Sequence, residues 1–173
     1  MLGSSHIKHF HEKHATSDPA MRYFGKSGLK LGTFSKLARE AQNIYPYPAA
    51  VVVHVGGNDI MEKPLHEMRL KANEILLETK LLFPYSYVFY SEAFCRTKYR
   101  SEDVIGAAER SRISFNTRVK AMCNRENIGI ISHQNLTYSH LRDGVHLSLN
   151  GEELFILNIK SAVRKLNDQK YKV

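Results

Sequence analysis

A chain of 173 residues with 43% hydrophobic residues has the size and composition of one globular domain, which we place over residues 1–173. Its longest apolar run, Ala49–Val55, is too short to span a bilayer, so a transmembrane helix is excluded. Only Cys95 and Cys123 are present, which argues against a disulfide framework and favours an intracellular, cytoplasmic location. The net charge of +8 either attracts nucleic acid and anionic membranes nonspecifically or forms a solvated basic surface without a partner.

The predicted elements begin with a very short amino-terminal segment. Only Met1 and Leu2 precede Gly3, so any strand there is short, and we expect this chain to be a fragment of a longer protein. Residues 6–14 then predict a helix that turns Ile7 and Phe10 inward.

The rest of the chain alternates predicted strands and helices. The strands are predicted at residues 21–24, 49–55, 87–91 and 129–132, and the helices at 33–43, 65–82, 101–127 and from 148 onwards. The run 49–55 is typical of a central parallel strand that is covered on both faces. The alternation predicts an α/β fold, a three-layer α/β/α sandwich around a central, mostly parallel five-stranded sheet.

Helical spacing also predicts which side chains of these helices face the core. The predicted core positions are Leu37, Ala38, Ala41, Val104, Ala108, Ile113, Phe115, Val119, Met122, Leu154, Ile156, Leu157, Ile159, Val163 and Leu166.

The candidate acid–base pair lies near the carboxyl end of the chain, in Asp143-Gly144-Val145-His146. An acid three residues before a histidine, in a loop that opens a helix, can orient the imidazole ring. The carboxylate accepts from one ring nitrogen and leaves the other to act as a base.

A base of this kind needs a nucleophile, and the amino-terminal segment Gly3-Ser4-Ser5 supplies two candidates. The spacing from Gly3 favours Ser5 over Ser4.

Two glycine-rich segments between these ends offer hydrogen-bond donors. Gly25-Lys26-Ser27-Gly28 permits positive φ and exposed amide N–H groups, although an ordinary turn fits equally well. Asn58 follows the central strand, at the strand end where open α/β sheets place ligands, although it could also simply cap the next helix.

The histidines of the first helix and the central strand invite a different interpretation. His6, His9, His11 and His14 could suggest a metal site, but no Cys or carboxylate set completes one, so we favour a solvated basic helix. His54, inside the central strand, is expected to be a hydrogen-bonded core residue rather than a ligand.

Together these four segments, in this order, resemble the four sequence blocks of the SGNH (GDSL-like) hydrolases. The resemblance runs from residue 3 to residue 146. The runs 29–33 and 146–151 are further similar to the esterase domain in the first open reading frame of some LINE-type retrotransposons. The resemblance implies the flavodoxin-like sheet of that superfamily.

The resemblance also implies a role for each candidate residue. Ser5 would be the nucleophile, His146 the general base and Asp143 the residue that orients it. The oxyanion hole would consist of the Ser5 and Gly28 backbone N–H groups and the Asn58 side chain. No cofactor or metal would be needed.

One departure from the superfamily pattern stands next to the nucleophile. Ser4 occupies the position where the family has Asp, and the loss of that carboxylate weakens support for the turn.

The sequence therefore predicts a serine esterase for short-chain, acetyl-type carboxylic esters, with a small ester or a lipid as substrate. The alternative is a weakly active or inactive module that binds nucleic acid or membranes through its basic surface. An unrelated flavodoxin-like binding domain would need four motifs in order by chance. Segments of the longer protein outside this chain could also mediate self-association.

Overall fold

The computed structural model describes residues 1–14, 20–99 and 105–170 of the chain. Its strands are Leu2–Gly3 (β1), Phe24–Gly25 (β2), Ala50–His54 (β3), Tyr87–Ser91 (β4) and Gly129–Ile131 (β5). Its α-helices are Ser5–His14 (α1), Phe34–Ile44 (α2), Leu65–Leu82 (α3), Ile105–Arg125 (α4) and Leu149–Lys170 (α5).

The five strands form one parallel sheet in the order β2-β1-β3-β4-β5. Leu2 of β1 pairs with Phe24 on one side and with Val53 on the other. In this strand order the chain reverses its winding direction between β1 and β3, and such a switch point opens a crevice at the carboxyl ends of the two strands. The predicted α/β fold with a five-stranded sheet is confirmed.

Helices cover both faces of the sheet. Alternate residues of β3 point to opposite faces, so that Val51 and Val53 join one core and Val52 the other. The first core packs against α2, α3 and α4, and the second contains Ile7 and Phe10 of α1 with α5 residues. Both α1 residues are buried as predicted. The result is the predicted three-layer sandwich.

The predicted bounds of α3 and β4 are confirmed, whereas the bounds predicted for the second strand, 21–24, are wrong. The strand here is Phe24–Gly25, because the short β1 offers pairing partners only at these two residues. The predicted helix start at 101–104 lies outside the described residues.

Two predicted core positions are also wrong. Ile113 of α4 is 51% exposed and Leu157 of α5 is 56% exposed. Each stands two positions from a buried phenylalanine, Phe115 or Phe155, and two positions are about 200° around a helix.

Close contact between β2 and α1 fixes where α1 begins. A Cβ atom on Gly25 would lie 2.0 Å from the backbone nitrogen of Lys8, so only glycine allows this approach. A Cβ on Gly3 would likewise lie 2.6 Å from the His54 carbonyl oxygen. The two glycines hold the start of α1 against the ends of β2 and β3.

None of the helices in the described ranges is long and apolar enough to cross a membrane.

Candidate active site

The predicted site residues lie on loops at the carboxyl ends of the strands. Ser5 is the first residue of α1 and is separated from β1 only by Ser4, and Asn58 lies in the turn after β3. Since β1 and β3 flank the switch point of the sheet, this is where the fold opens its crevice.

Asp143 and His146 form the predicted pair. The Asp143 Oδ2 atom accepts from His146 Nδ1 at 2.8 Å, and Oδ1 accepts from the His146 backbone N–H at 2.7 Å. A carboxylate only accepts, so Nδ1 carries the ring proton and Nε2 is the basic nitrogen of the neutral ring. Desolvation opposes the charge on Asp143, but hydrogen bonds from His146 and Val145 outweigh it and hold its pKa below the ordinary value.

His6, the residue after Ser5, joins the start of α1 to the loop that carries His146. Its Nε2 atom donates to the Val145 carbonyl at 3.0 Å, and its ring centre lies 5.5 Å from that of His146. Burial holds the pKa of His6 well below 6.5, so the ring is neutral. His6 thus connects the start of α1, where Ser5 lies, to the loop that carries His146.

The backbone at the start of α1 distinguishes the two serines. The Ser4 carbonyl accepts from the N–H groups of Ile7 and Lys8, so Ser4 precedes the first turn and Ser5 opens it. The first N–H groups of a helix have no partner within the helix and carry partial positive charge. The Ser5 N–H is one of these first N–H groups of α1.

Asn58 is held at both ends of its amide. Its Nδ2 donates to the Leu29 carbonyl at 3.0 Å, and its Oδ1 accepts from Arg96 Nη1 at 3.0 Å. Because a guanidinium only donates, the amide orientation is fixed. An amide nitrogen carries two N–H groups, and the bond to Leu29 uses one of them.

Gly28 lies next to the loop residue that Asn58 holds. Its φ of +68° confirms the predicted positive φ, and it is exposed. Both carboxylate oxygens of the buried Asp59 accept from the Leu31 N–H, at 3.3 and 3.1 Å, which fixes this loop against the turn after β3. Burial raises the pKa of Asp59 to about 6.

The loop after β4 contacts both halves of the site. Arg96 binds Asn58, while the next two backbone N–H groups, of Thr97 and Lys98, donate to the Gly144 carbonyl at 2.9 and 3.2 Å. Hydrogen bonds thus connect the loop of Gly28 to Asn58, Asn58 to the loop after β4, and that loop to the segment that carries His146. His6 connects the same segment to the start of α1.

His54 is a hydrogen-bonded core residue, as predicted. It is buried, its Nδ1 lies 3.0 Å from Ser91 Oγ, and Ser91 Oγ lies 2.8 Å from His133 Nε2. Burial lowers the pKa of His54 to about 4 and that of His133 well below 6.5, so both rings are neutral.

The metal interpretation of the first helix gains no support from His6, which faces the site interior. The side chains of His9, His11 and His14 lie outside the described ones. Among the side chains that are described, no three His, Cys, Asp or Glu residues cluster as metal ligands.

A groove of the described structure lies away from these residues. Its volume is about 730 Å³, and its lining includes Met1 and Ala49–Val52, at the amino ends of β1 and β3. It is separate from the crevice at the carboxyl ends.

Sequence reasoning missed Arg96 and Asp59. It also expected His6 on a solvated helix face, which is wrong, because His6 is buried. Asp59 follows Asn58 directly, and the apolar strand before it indicated its position. Arg96 follows β4 by a few residues in an otherwise irregular loop, and no local pattern marked it.

Solved structures with the same fold include several hydrolases. A GDSL-like lipase from Bacteroides thetaiotaomicron is 20% identical with a TM-score of 0.80, and the match covers 95% of this chain and 86% of the lipase. A putative acylhydrolase from Bacteroides fragilis is 21% identical with a TM-score of 0.79, covering 95% and 85%. The psychrotrophic esterase EstA from Pseudoalteromonas, in a structure inhibited by monoethylphosphonate, is 13% identical with a TM-score of 0.64, covering 83% and 76%.

No model of a protein family matches the sequence, and no curated protein matches it. The structural matches show that the chain has the fold of the GDSL-like hydrolases.

Proposed function

We propose that this chain, which has the fold of the GDSL-like lipases and acylhydrolases, is a serine esterase for short-chain, acetyl-type carboxylic esters. The observation that carries the proposal is the Asp143–His146 pair, which lies beside the start of α1 through the contacts of His6. The sequence motifs further suggest that the domain belongs to a retrotransposon-encoded protein.

In the proposed reaction His146 Nε2 removes the proton of Ser5 Oγ as this oxygen attacks the ester carbonyl. A C–O bond forms to Ser5 and the carbonyl oxygen becomes an oxyanion. His146 then gives the proton to the leaving alcohol, and water hydrolyses the acyl-serine by the same steps.

Three donors would stabilise the oxyanion: the N–H of Ser5, the N–H of Gly28 and the side-chain amide of Asn58. Such preorganised donors act where charge develops in the transition state, which makes them more effective than water. The fixed Asn58 amide supports this role.

The proposed preference for short acyl groups is supported by the position of the groove of about 730 Å³. It lies at the amino ends of the strands, whereas a long acyl chain would need a tunnel beside Ser5.

The test is hydrolysis of a chromogenic acetate ester by the parent, Ser5→Ala and Ser4→Ala. Losing the nucleophile of a serine hydrolase costs about 10⁶ in rate. We expect Ser5→Ala to fall to background and Ser4→Ala to remain active. Equal rates for the parent and Ser5→Ala would remove Ser5 from the mechanism.

The second candidate function, nonspecific binding of nucleic acid or anionic membranes, is favoured by the basic residues of α5. Arg164 and Lys165 are exposed there, and Arg164 lines the groove at the amino ends of the strands. Binding through phosphate contacts weakens steeply with added salt. A titration with RNA at low and moderate salt tests this function, and affinity that does not change with salt would count against it.

A further inference from the structure

Arg96 makes a contact that the proposed chemistry does not yet use. Its Nη1 atom donates to Asn58 Oδ1 at 3.0 Å, and its guanidinium lies beside Gly57. A Cβ atom on Gly57 would come within 2.9 Å of Nη2, so the neighbour of Asn58 has no side chain to push Arg96 away.

The contact with Arg96 determines which face of the Asn58 amide the substrate meets. The terminal torsion of asparagine is broad and roughly two-fold, so an unrestrained amide can also present its oxygen. An amide oxygen pointing at the oxyanion would repel it. Arg96 binds that oxygen, and Leu29 accepts from one N–H, which leaves the second N–H as the group that can face the substrate.

Arg96 is also a partly buried cation. Among residues 1–14, 20–99 and 105–170, no carboxylate forms a salt bridge with it. Burial and the charge of Arg96 both lower the pKa values of His6 and His54, so these two rings are neutral. The hydrogen bond to Asn58 therefore comes from a charged donor, and such bonds are stronger than those between neutral groups.

We propose that Arg96 is a positioning residue for the esterase reaction: its charged donor locks the Asn58 amide with an N–H toward the oxyanion. The inference rests on the proposed esterase function. Arg96 itself acts through Asn58 and does not contact the reacting atoms.

A double-mutant cycle tests this role with the acetate ester as substrate. The variants are Arg96→Met, Asn58→Ala and the double variant. The control is Arg39→Met, which removes an exposed arginine of α2 that pairs with Glu78 of α3. We expect Arg96→Met to lower kcat by about 10- to 100-fold with KM nearly unchanged, and Arg39→Met to change neither.

In the Asn58→Ala background the loss of Arg96 should cost no more than about twofold, because the donor that it positions is gone. Arg96→Lys keeps the charge but not the planar fork, and we expect intermediate activity. If the loss of kcat in the double variant equalled the product of the two single losses, the proposal would be overturned. A raised KM with unchanged kcat would assign Arg96 to substrate binding instead and would also overturn it.

A second readout separates this inference from the esterase function. The side-chain amide signals of Asn58 in a ¹⁵N–¹H spectrum should shift, and their protons should exchange faster, in Arg96→Met but not in Arg39→Met. Unchanged signals in Arg96→Met would contradict the positioning role even in an active enzyme. If the parent hydrolyses no ester, the esterase function fails, and the amide signals still decide whether Arg96 positions Asn58.

Discussion

The Asp143 carboxylate contacts His146 twice, once at the ring nitrogen Nδ1 and once at the backbone N–H, at 2.8 and 2.7 Å. The backbone bond fixes the loop, and the ring bond fixes the tautomer. Both therefore depend on one side chain that lies three residues before the histidine.

Asp143→Asn is expected to lower the esterase kcat by about 10⁴-fold, since an amide N–H can face Nδ1 and stabilise the wrong tautomer of His146. The amide oxygen can still accept from the backbone, so the loop should remain in place. Steady-state kinetics with the acetate ester measures the loss. A decrease of less than about tenfold would mean that Asp143 does not set the tautomer.

The hydrogen bonds of the Asp143 carboxylate also predict that the stability of the fold depends on pH. The folded-state pKa of Asp143 lies below its ordinary value of 3.8, so its carboxylate stabilises the folded state above that pH. This contribution is lost as the pH falls below about 4, toward the lower folded-state pKa.

Urea unfolding of the parent and of Asp143→Asn checks this dependence. The difference in the free energy of unfolding should be larger near pH 7 than near pH 3. A difference that stays constant over this range would contradict the assigned hydrogen bonds.

Asn58→Ala should lower kcat by about 10²–10³-fold and leave KM nearly unchanged, because the amide acts on the oxyanion and not on the bound ester. Steady-state kinetics across a range of ester concentrations separates the two constants. An unchanged kcat would exclude Asn58 from the oxyanion hole.

Gly25→Ala is expected to destabilise the fold, because the new methyl group would lie 2.0 Å from the Lys8 backbone nitrogen and would displace the start of α1. Overpacking of this kind costs about 1–3 kcal/mol. The matched control is Gly32→Ala, whose methyl group meets nothing within 4 Å.

The free energy of unfolding from urea titrations measures both glycine variants. We expect Gly32→Ala to stay within about 0.5 kcal/mol of the parent. Equal stabilities for the two variants would contradict the close packing of β2 on α1.

The fold was predictable because its signals are local. The apolar run that forms β3 and the periodicity of α3 each lie within one segment of the chain. The alternation of strands and helices then predicts the three layers of the sandwich. The burial of Ile113 and Leu157 was predicted wrongly, since helices of this length carry apolar residues on more than one face. The length of β2 depends on pairing with β1, which no local pattern shows.

The site was predictable where a motif carries it and not where the contact is long-range. Asp143 and His146 are three residues apart, so their contact follows from sequence spacing. Arg96 and Asn58 are 38 residues apart and meet because β3 and β4 are neighbours in the sheet. His6 was visible as a residue beside Ser5, but its bond to Val145 depends on how two distant loops pack.

The most direct test of the account is to identify the residue that reacts with a phosphonate ester. Attack by a serine oxygen on phosphorus forms an O–P bond and expels the leaving group, which gives a stable adduct in place of the acyl-serine. The parent would be incubated with a chromogenic ethylphosphonate ester and analysed by intact mass and peptide mapping. The account predicts one adduct per chain, on Ser5, that is lost in His146→Ala as well as in Ser5→Ala. An adduct on Ser4, or an unmodified chain that still hydrolyses the acetate ester, would contradict it.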